Sequence, residues 1–317
     1  MEIKTLEESK TILEEYAQLE NSTPFHSYEW LKSLEKNLGT PCSIAVLDNA
    51  ICPLFKKKMG PAKINFSPIF GTETAYMGII SKDENIDGKL KELKKDGNFF
   101  MILPPGINTN FGKLEKAQTI ITKFDKESSE EHFKLITKGH RYCVNKAIKE
   151  GVTIEEDYSD EAIEEYFELL KTTYESNGYT PLPKEFYKDI IQGLHSKNKI
   201  KLLLAKHNGK TIGCAAFPYS GKKIYYWTGA SLKGEYSNLY PNNAIQWHLI
   251  KWAYENGFKE YDMLGAGIEG IRKFKLGWGG EIVDYTRIYS SGSLKFAATM
   301  YSKIGSGLKS KIRSGIR

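Results

Sequence analysis

The run from residue 241 to residue 289, PNNAIQWHLIKWAYENGFKEYDMLGAGIEGIRKFKLGWGGEIVDYTRIY, constrains the fold more than any other part of the chain. Pro241 closes a loop, and Asn242 or Asn243 is placed to cap the free amides of a first helical turn. Ile245, Leu249, Trp252 and Ala253 then recur at helical spacing, and Gly257 stands where a helix end needs the left-handed conformation. Residues 261–264 read as a short strand and 265–270 as a loop, and 274–280 lead into an alternating strand over 281–290. Helix, strand, glycine-rich turn and strand in that order predict a layered α/β fold.

The 317 residues exceed one comfortable hydrophobic core, so two domains are expected. In the first half, apolar spacing predicts helices over 5–20 and up to residue 37, then a strand pair over 42–57 about the Asp48-Asn49 turn. A lysine-rich helix over 83–95, an interior strand at 99–103 and a strand at 119–123 follow. A helix over 129–150 comes next, ended by Gly151. Beyond it come a strand at 152–156, a long helix opened by Ser159, a helix after Pro183 and strands at 200–206, 211–219 and 223–230. Each half gives two helices, a hairpin about an asparagine turn, another strand, a helix and closing strands, the pattern of a duplicated unit. The expected division is a domain over 1–150 that includes a joining helix at 129–150, a second domain over 151–290, and a tail over 291–317.

With 40% hydrophobic and 26% charged residues, the composition is that of a soluble globular protein. No apolar run approaches the ~18–20 residues that span a bilayer. The opening MEIKTLEESK lacks the apolar centre of a signal peptide, so a cytoplasmic location is expected. Cys42, Cys52, Cys143 and Cys214 form no CxxC, and the histidines form no HxH or HExxH, so neither a metal site nor a disulfide framework is expected. The net charge of +6 resides in the tail, where Lys295, Lys303, Lys309, Lys311, Arg313 and Arg317 face no acid. Phe296, Met300, Ile304, Leu308, Ile312 and Ile316 recur there every fourth residue. That pattern suits a packed C-terminal helix with a frayed end, a basic amphipathic contact with an anionic membrane surface, or attraction to RNA.

A literal GxGxxG spans 265–270, with Asp284 downstream, but a dinucleotide fingerprint opens a long helix in an early βαβ unit. Here Gly277, Gly279 and Gly280 follow within ten residues, and too little chain remains for a nucleotide-binding sheet. Lys275, set between Phe274 and the glycine cluster, suits another task. Acyl transfer to an amine passes through a tetrahedral intermediate bearing a negative oxygen, and a fixed cation there is often the largest single catalytic effect. The alternative is an exposed turn lysine. Asp262 and Glu269 flank the same turn, where a carboxylate could take the proton of the attacking amine. Either could equally be a solvated acid or a partner for Arg272. Arg141, with Lys138, His140 and Lys146, makes a basic cluster suited to a phosphate-bearing substrate or, equally, a solvated helix face. Lys32 could serve the same purpose from the first domain. The aromatic group Tyr225, Tyr226, Trp227, Tyr236, Tyr240, Trp247 and Trp252 has spacing better explained by core packing than by a sugar or base pocket.

Three blocks resemble the FemAB family, the peptidoglycan bridge-forming aminoacyltransferases and their shorter relatives with the GNAT acyltransferase fold. Thr23-Pro24-Phe25-His26-Ser27-Tyr28-Glu29-Trp30 is similar to the family's N-terminal T-P-F-Q-x-x-x-W, with His26 in place of the glutamine. Arg141 to Ala147, followed by Lys149, Gly151 and Val152, is similar to the central R-x-x-x-x-K-A-x-K-x-G-V, and 240–280 to the C-terminal block. The resemblance implies two tandem GNAT-like domains packed across a cleft. It implies transfer of an amino acid from aminoacyl-tRNA to an amine of a nucleotide- or lipid-linked cell-wall precursor, with no further cofactor. Phe274-Lys275 would lie at the transfer centre, basic residues would hold the precursor's phosphates, and Trp30, Tyr240 and Asn243 of the matching blocks would contact substrate. No coiled-coil arm is present, so the compact members are the better match. Presumed relatives that acetylate amino sugars of envelope glycans make an acyl-CoA donor the nearest rival. The Q/R-x-x-G-x-G/A run with which ordinary GNAT enzymes hold pyrophosphate is missing from 231–243. A non-catalytic binder of tRNA or membrane is the rival from another class.

Overall fold

In a computed structural model, which describes residues 1–59 and 62–303, the chain forms two compact units. One joins Met1–Ala117 to the chain from Asp284 onward, and the other is the contiguous Gln118–Val283. This division differs from the one expected at residue 150. The helices Ser129–Leu135 and Lys138–Lys149 pack inside the second unit against the helix Pro241–Glu255 and do not act as a joint. Val144 and Ala147 share a core there with Ile245 and Leu249, which accounts for the placement. Of the tail, the part from 304 to 317 lies outside the described residues.

In the first unit, strands Glu2–Thr5, Cys42–Leu47, Ala50–Met59, Ala62–Ser67 and Asn98–Leu103 lie side by side, followed by the end of Glu281–Tyr289. The apolar run predicted as an interior strand is one: Phe99, Phe100, Met101 and Leu103 are buried. It runs parallel to Ala62–Ser67 and antiparallel to residues 286–289. Helix Tyr28–Leu38 starts on Ser27, whose hydroxyl accepts from the Trp30 amide, and ends at Gly39 with φ +59.

The second unit orders the end of Lys113–Lys123, then Glu260–Asp262, Lys223–Tyr225, Lys210–Ser220, Ile200–His207 and Thr153–Glu156. Glu260–Asp262 and Lys223–Tyr225 are parallel, and the other neighbours are antiparallel. Ser159 caps the helix Asp160–Ser176 as expected, accepting from the Ala162 amide at 3.1 Å.

Local expectations fail at four places, each for a physical reason. The helix expected over 129–150 breaks at Ile136 and Thr137: Ile136 is buried and extended, and Arg141 caps the end of the first piece. Helix Pro241–Glu255 starts on its proline with Tyr240 as cap, while the Asn242 side-chain Nδ2 donates to the Ser231 hydroxyl at 3.1 Å. The strand expected over 223–230 is interrupted at Tyr226 and Trp227. Residues 269–276 form a helix, not the approach to a strand, so Lys275 sits in a last helical turn.

Candidate active site

The parallel strands Lys223–Tyr225 and Glu260–Asp262 run together and then part. The Tyr226 amide still donates to the Asp262 carbonyl at 2.8 Å. Beyond that point the Trp227 amide turns to Ala216, and Thr228–Ser231 pairs with Lys210–Ser220. The other branch leaves in the opposite sense, its Met263 and Ala266 amides donating to the carbonyls of Ile120 and Gln118. Parallel strands that diverge at their carboxyl ends open the kind of crevice in which α/β sheets take ligands. Tyr226, Asp262 and Lys275 stand at this fork.

Asp262 ends its strand almost wholly buried, 4% exposed, and accepts the Leu264 amide at 2.9 Å together with the Thr119 hydroxyl. Leu264 and Gly265 both take left-handed backbone conformations, φ 48° and 65°. That geometry is costly for leucine and persists only when its surroundings enforce it. Here Asp262 holds the Leu264 amide, while the Lys275 ammonium donates to the Leu264 carbonyl and to the Gly265 carbonyl at 3.1 Å.

Lys275 is 8% exposed. Burial lowers its pKa to about 8, opposed by the negative charge of Asp262. Its Nζ lies 5.8 Å from the centre of the Tyr226 ring, which stacks on Phe217 with centroids 5.5 Å apart. Burial pushes the Tyr226 phenol up to about 12. The same phenol packs so closely on Gly229 that no Cβ fits there. Below the fork, Tyr261 donates to the buried Gln246 Oε1 at 2.6 Å.

A family model described as an acetyltransferase (GNAT) domain matches residues 137–281, which span this site. The lipid II:glycine glycyltransferase of Staphylococcus haemolyticus is 25% identical, aligned over 65% of this chain and 66% of its own length. The UDP-N-acetylmuramoylpentapeptide-lysine N(6)-alanyltransferase of Weissella viridescens is 21% identical over 65% of this chain and 55% of its own. The crystal structure of FemX superposes with a TM-score of 0.67 at 17% identity, over 90% of this chain and 97% of FemX. Residues 137–281 match a GNAT domain, and the chain has the fold of FemX. It spans about two thirds of the glycyltransferase it matches and just over half of the alanyltransferase.

The fold brings Lys275 and Asp262 together and leaves Glu269 apart. Glu269 begins the Lys275 helix with its side chain 81% exposed, paired with Lys273 at 2.7 Å. Phe274 turns to a different neighbourhood, its ring 5.0 Å from His140 and 6.0 Å from Trp278. Arg141 spends Nη1 on the carbonyls of Lys134 and Ile136, the helix-capping role noted above. Lys146 lies 5.5 Å over the Tyr240 ring, which also meets Tyr142, so these form one cluster on the second unit. Asn243 is buried in the first turn of Pro241–Glu255, its Nδ2 without a hydrogen-bond partner among the described residues.

The expectation for Trp30 is corrected. It is fully buried in the first unit, edge-on to Phe25 at 4.7 Å, with Nε1 donating to the Thr74 hydroxyl, and so cannot touch a substrate from this position. Lys32 is held by Glu7 at 2.8 Å and Glu35 at 3.1 Å. Sequence reasoning missed Thr119 and gave Tyr226 to the core. The Thr119–Asp262 bond spans 143 positions and leaves no local signal, whereas Tyr226 sits in an aromatic run whose spacing also fits packing.

Proposed function

We propose that this chain forms an amide bond, transferring an amino acid from aminoacyl-tRNA to an amine on a lipid- or nucleotide-linked cell-wall precursor. The supporting observation is the buried Lys275 ammonium, fixed on two carbonyls beside Asp262 at the strand fork. The relatives named above carry glycine and alanine to such precursors.

In this reading the acceptor amine attacks the acyl carbonyl carbon of the donor ester, and the carbonyl oxygen becomes an oxyanion. An ammonium has three N–H groups. Two of those on Lys275 hold Leu264 and Gly265, and the third would face the oxyanion. Collapse of the intermediate breaks the ester C–O bond, the tRNA hydroxyl leaves, and the amine's proton passes to that oxygen or to solvent. Asp262 anchors the turn and supplies the counter-charge that keeps the lysine protonated. A donor already in place at a charge that develops during the reaction needs no reorganisation. The acceptor would be met at the inner membrane face from the cytoplasm, with the basic tail 291–317 as the contact.

The purified chain is to be offered labelled aminoacyl-tRNA and labelled acetyl-CoA, each with an extract of envelope precursors. Label leaving tRNA for a small amine, and lost with Lys275→Met, supports the reading. Label leaving acetyl-CoA alone would make it an N-acetyltransferase, the reading closest to the family description. Transfer unaffected by Lys275→Met would refute the lysine's role.

A further inference from the structure

The short helix that carries Lys275 ends in a series of carbonyls whose partners can be accounted for one by one. Those of Lys273, Lys275 and Leu276 are taken locally, by the amides of Gly277, Trp278 and Gly279 at 3.1–3.2 Å. The three that remain are taken from outside. His140 Nε2 reaches the Phe274 carbonyl at 2.8 Å, the Thr137 amide reaches Gly277 at 3.0 Å, and His132 Nε2 reaches Trp278 at 3.1 Å. A carbonyl only accepts, so both imidazoles carry their proton on Nε2. His132 accepts in turn at Nδ1 from the Tyr254 hydroxyl. All three outside donors come from the segment 132–140.

His140 is fitted to this helix with no slack. Its ring lies 5.0 Å from that of Phe274 and 4.8 Å from that of Trp278. A Cβ on Gly277 would stand 2.6 Å from His140 Nε2, so the glycine is what lets the imidazole reach the Phe274 carbonyl. The backbone at Gly277 is ordinary right-handed helix, φ −62°, so clearance for the ring is what demands glycine there. Phe274 is the residue immediately before Lys275.

We infer that His140 is a positioning residue: by holding the Phe274 carbonyl through the gap left by Gly277, it sets the Lys275 helix so that the ammonium reaches Leu264 and Gly265. This rests on the reading of Lys275 as the cation of the transfer reaction. A displacement of about 1 Å at a reacting group can cost ~100-fold in rate, and nothing else reaches the Phe274 carbonyl among the bonds described for this helix end. The basic central block would then serve, through His140 and Arg141, to bolt helices together.

The test compares His140→Phe, which keeps a ring and loses the donor, with His140→Gln, which keeps an N–H donor. Gly277→Ala closes the gap from the other side and leaves the histidine in place. Two readouts are taken on the full chain: kcat and KM with the donor that supports transfer, and the titration of the Lys275 ε-carbon by 13C NMR. His140→Phe and Gly277→Ala are expected to lower kcat by about 10- to 100-fold with KM little changed. In both, the lysine midpoint should rise from about 8 toward the ordinary 10.5 as the ammonium slips toward water. His140→Gln should restore both quantities. A Gly277→Ala protein with wild-type kcat and titration would overturn the inference, and so would His140→Gln as impaired as His140→Phe. If the chain transfers no acyl group at all, the functional reading fails, and the lysine titration still decides this one.

Discussion

Lys275 and Asp262 grip the same residue from its two sides: the carboxylate of Asp262 accepts the Leu264 amide, and the ammonium of Lys275 donates to the Leu264 carbonyl. The negative charge of Asp262 supports the protonated lysine. The left-handed leucine is the mechanical link between a strand end and a helix end.

Replacing Lys275 by methionine is expected to remove the transition-state stabilisation of one oxyanion donor, ~2.7–4 kcal/mol or about 10²–10³ in kcat. The wild-type rate should fall as pH rises through about 8, where the buried ammonium loses its proton. Steady-state rates across pH 6–10 check this, and a rate that climbs through pH 8 contradicts a cationic role.

Stability carries the same signature. The folded-state lysine titrates near 8 and the unfolded one near 10.5, so burial of the charge is a cost that is full below about 8. The unfolded chain binds the extra proton between those values, and stability therefore rises with pH across that window. Wild type should gain on the order of 3 kcal/mol relative to Lys275→Met between pH 8 and 10.5. Urea unfolding of both proteins at several pH values measures the difference.

Asp262→Asn removes the charge that favours the ammonium, so the Lys275 midpoint should drop below about 8. The falling limb of the rate profile should move to lower pH with it. An unchanged midpoint would mean that the carboxylate acts only through its bonds to Thr119 and Leu264.

Gly280→Ala tests the glycine cluster apart from the chemistry. A Cβ there would meet Ile120 Cγ2 at 2.5 Å and Thr122 Oγ1 at 2.9 Å. Overpacking of that kind costs about 1–3 kcal/mol, to be read from the urea midpoint.

Trp30→Ala should destabilise the chain by about 3–5 kcal/mol as a core cavity, with KM for both substrates unchanged while the protein stays folded. A rise in KM at full folding would return Trp30 to the binding site.

The parts of the fold that were legible are those with dense local signals. Ser159 and Gly39 mark helix ends through capping chemistry, and 99–103 announces a buried strand by unbroken apolarity. The helix around Lys275 was missed because Gly277, Gly279 and Gly280 read as strand-turn punctuation. The structure shows that Gly277 and Gly280 answer to neighbours, His140 and Ile120, more than a hundred positions away. Lys275 and Asp262 stand out in the sequence because they flank one turn. The burial of Trp30 was not legible because a motif position says nothing about burial, nor was the capping by Arg141, because a cation's nearest acceptor can be its own backbone.

The contiguity of the second unit bears on how the chain is made. Once residue 283 has left the ribosome, Gln118–Val283 possesses every strand and helix of its own core. The first unit, begun at residue 1, still waits for residues 286–289 to pair with 100–103. The part that starts first finishes last, so the nascent chain carries the open edge of Asn98–Leu103 through the whole synthesis of the second unit. A stop codon near residue 284 would leave a formed candidate site attached to an unfinished sheet.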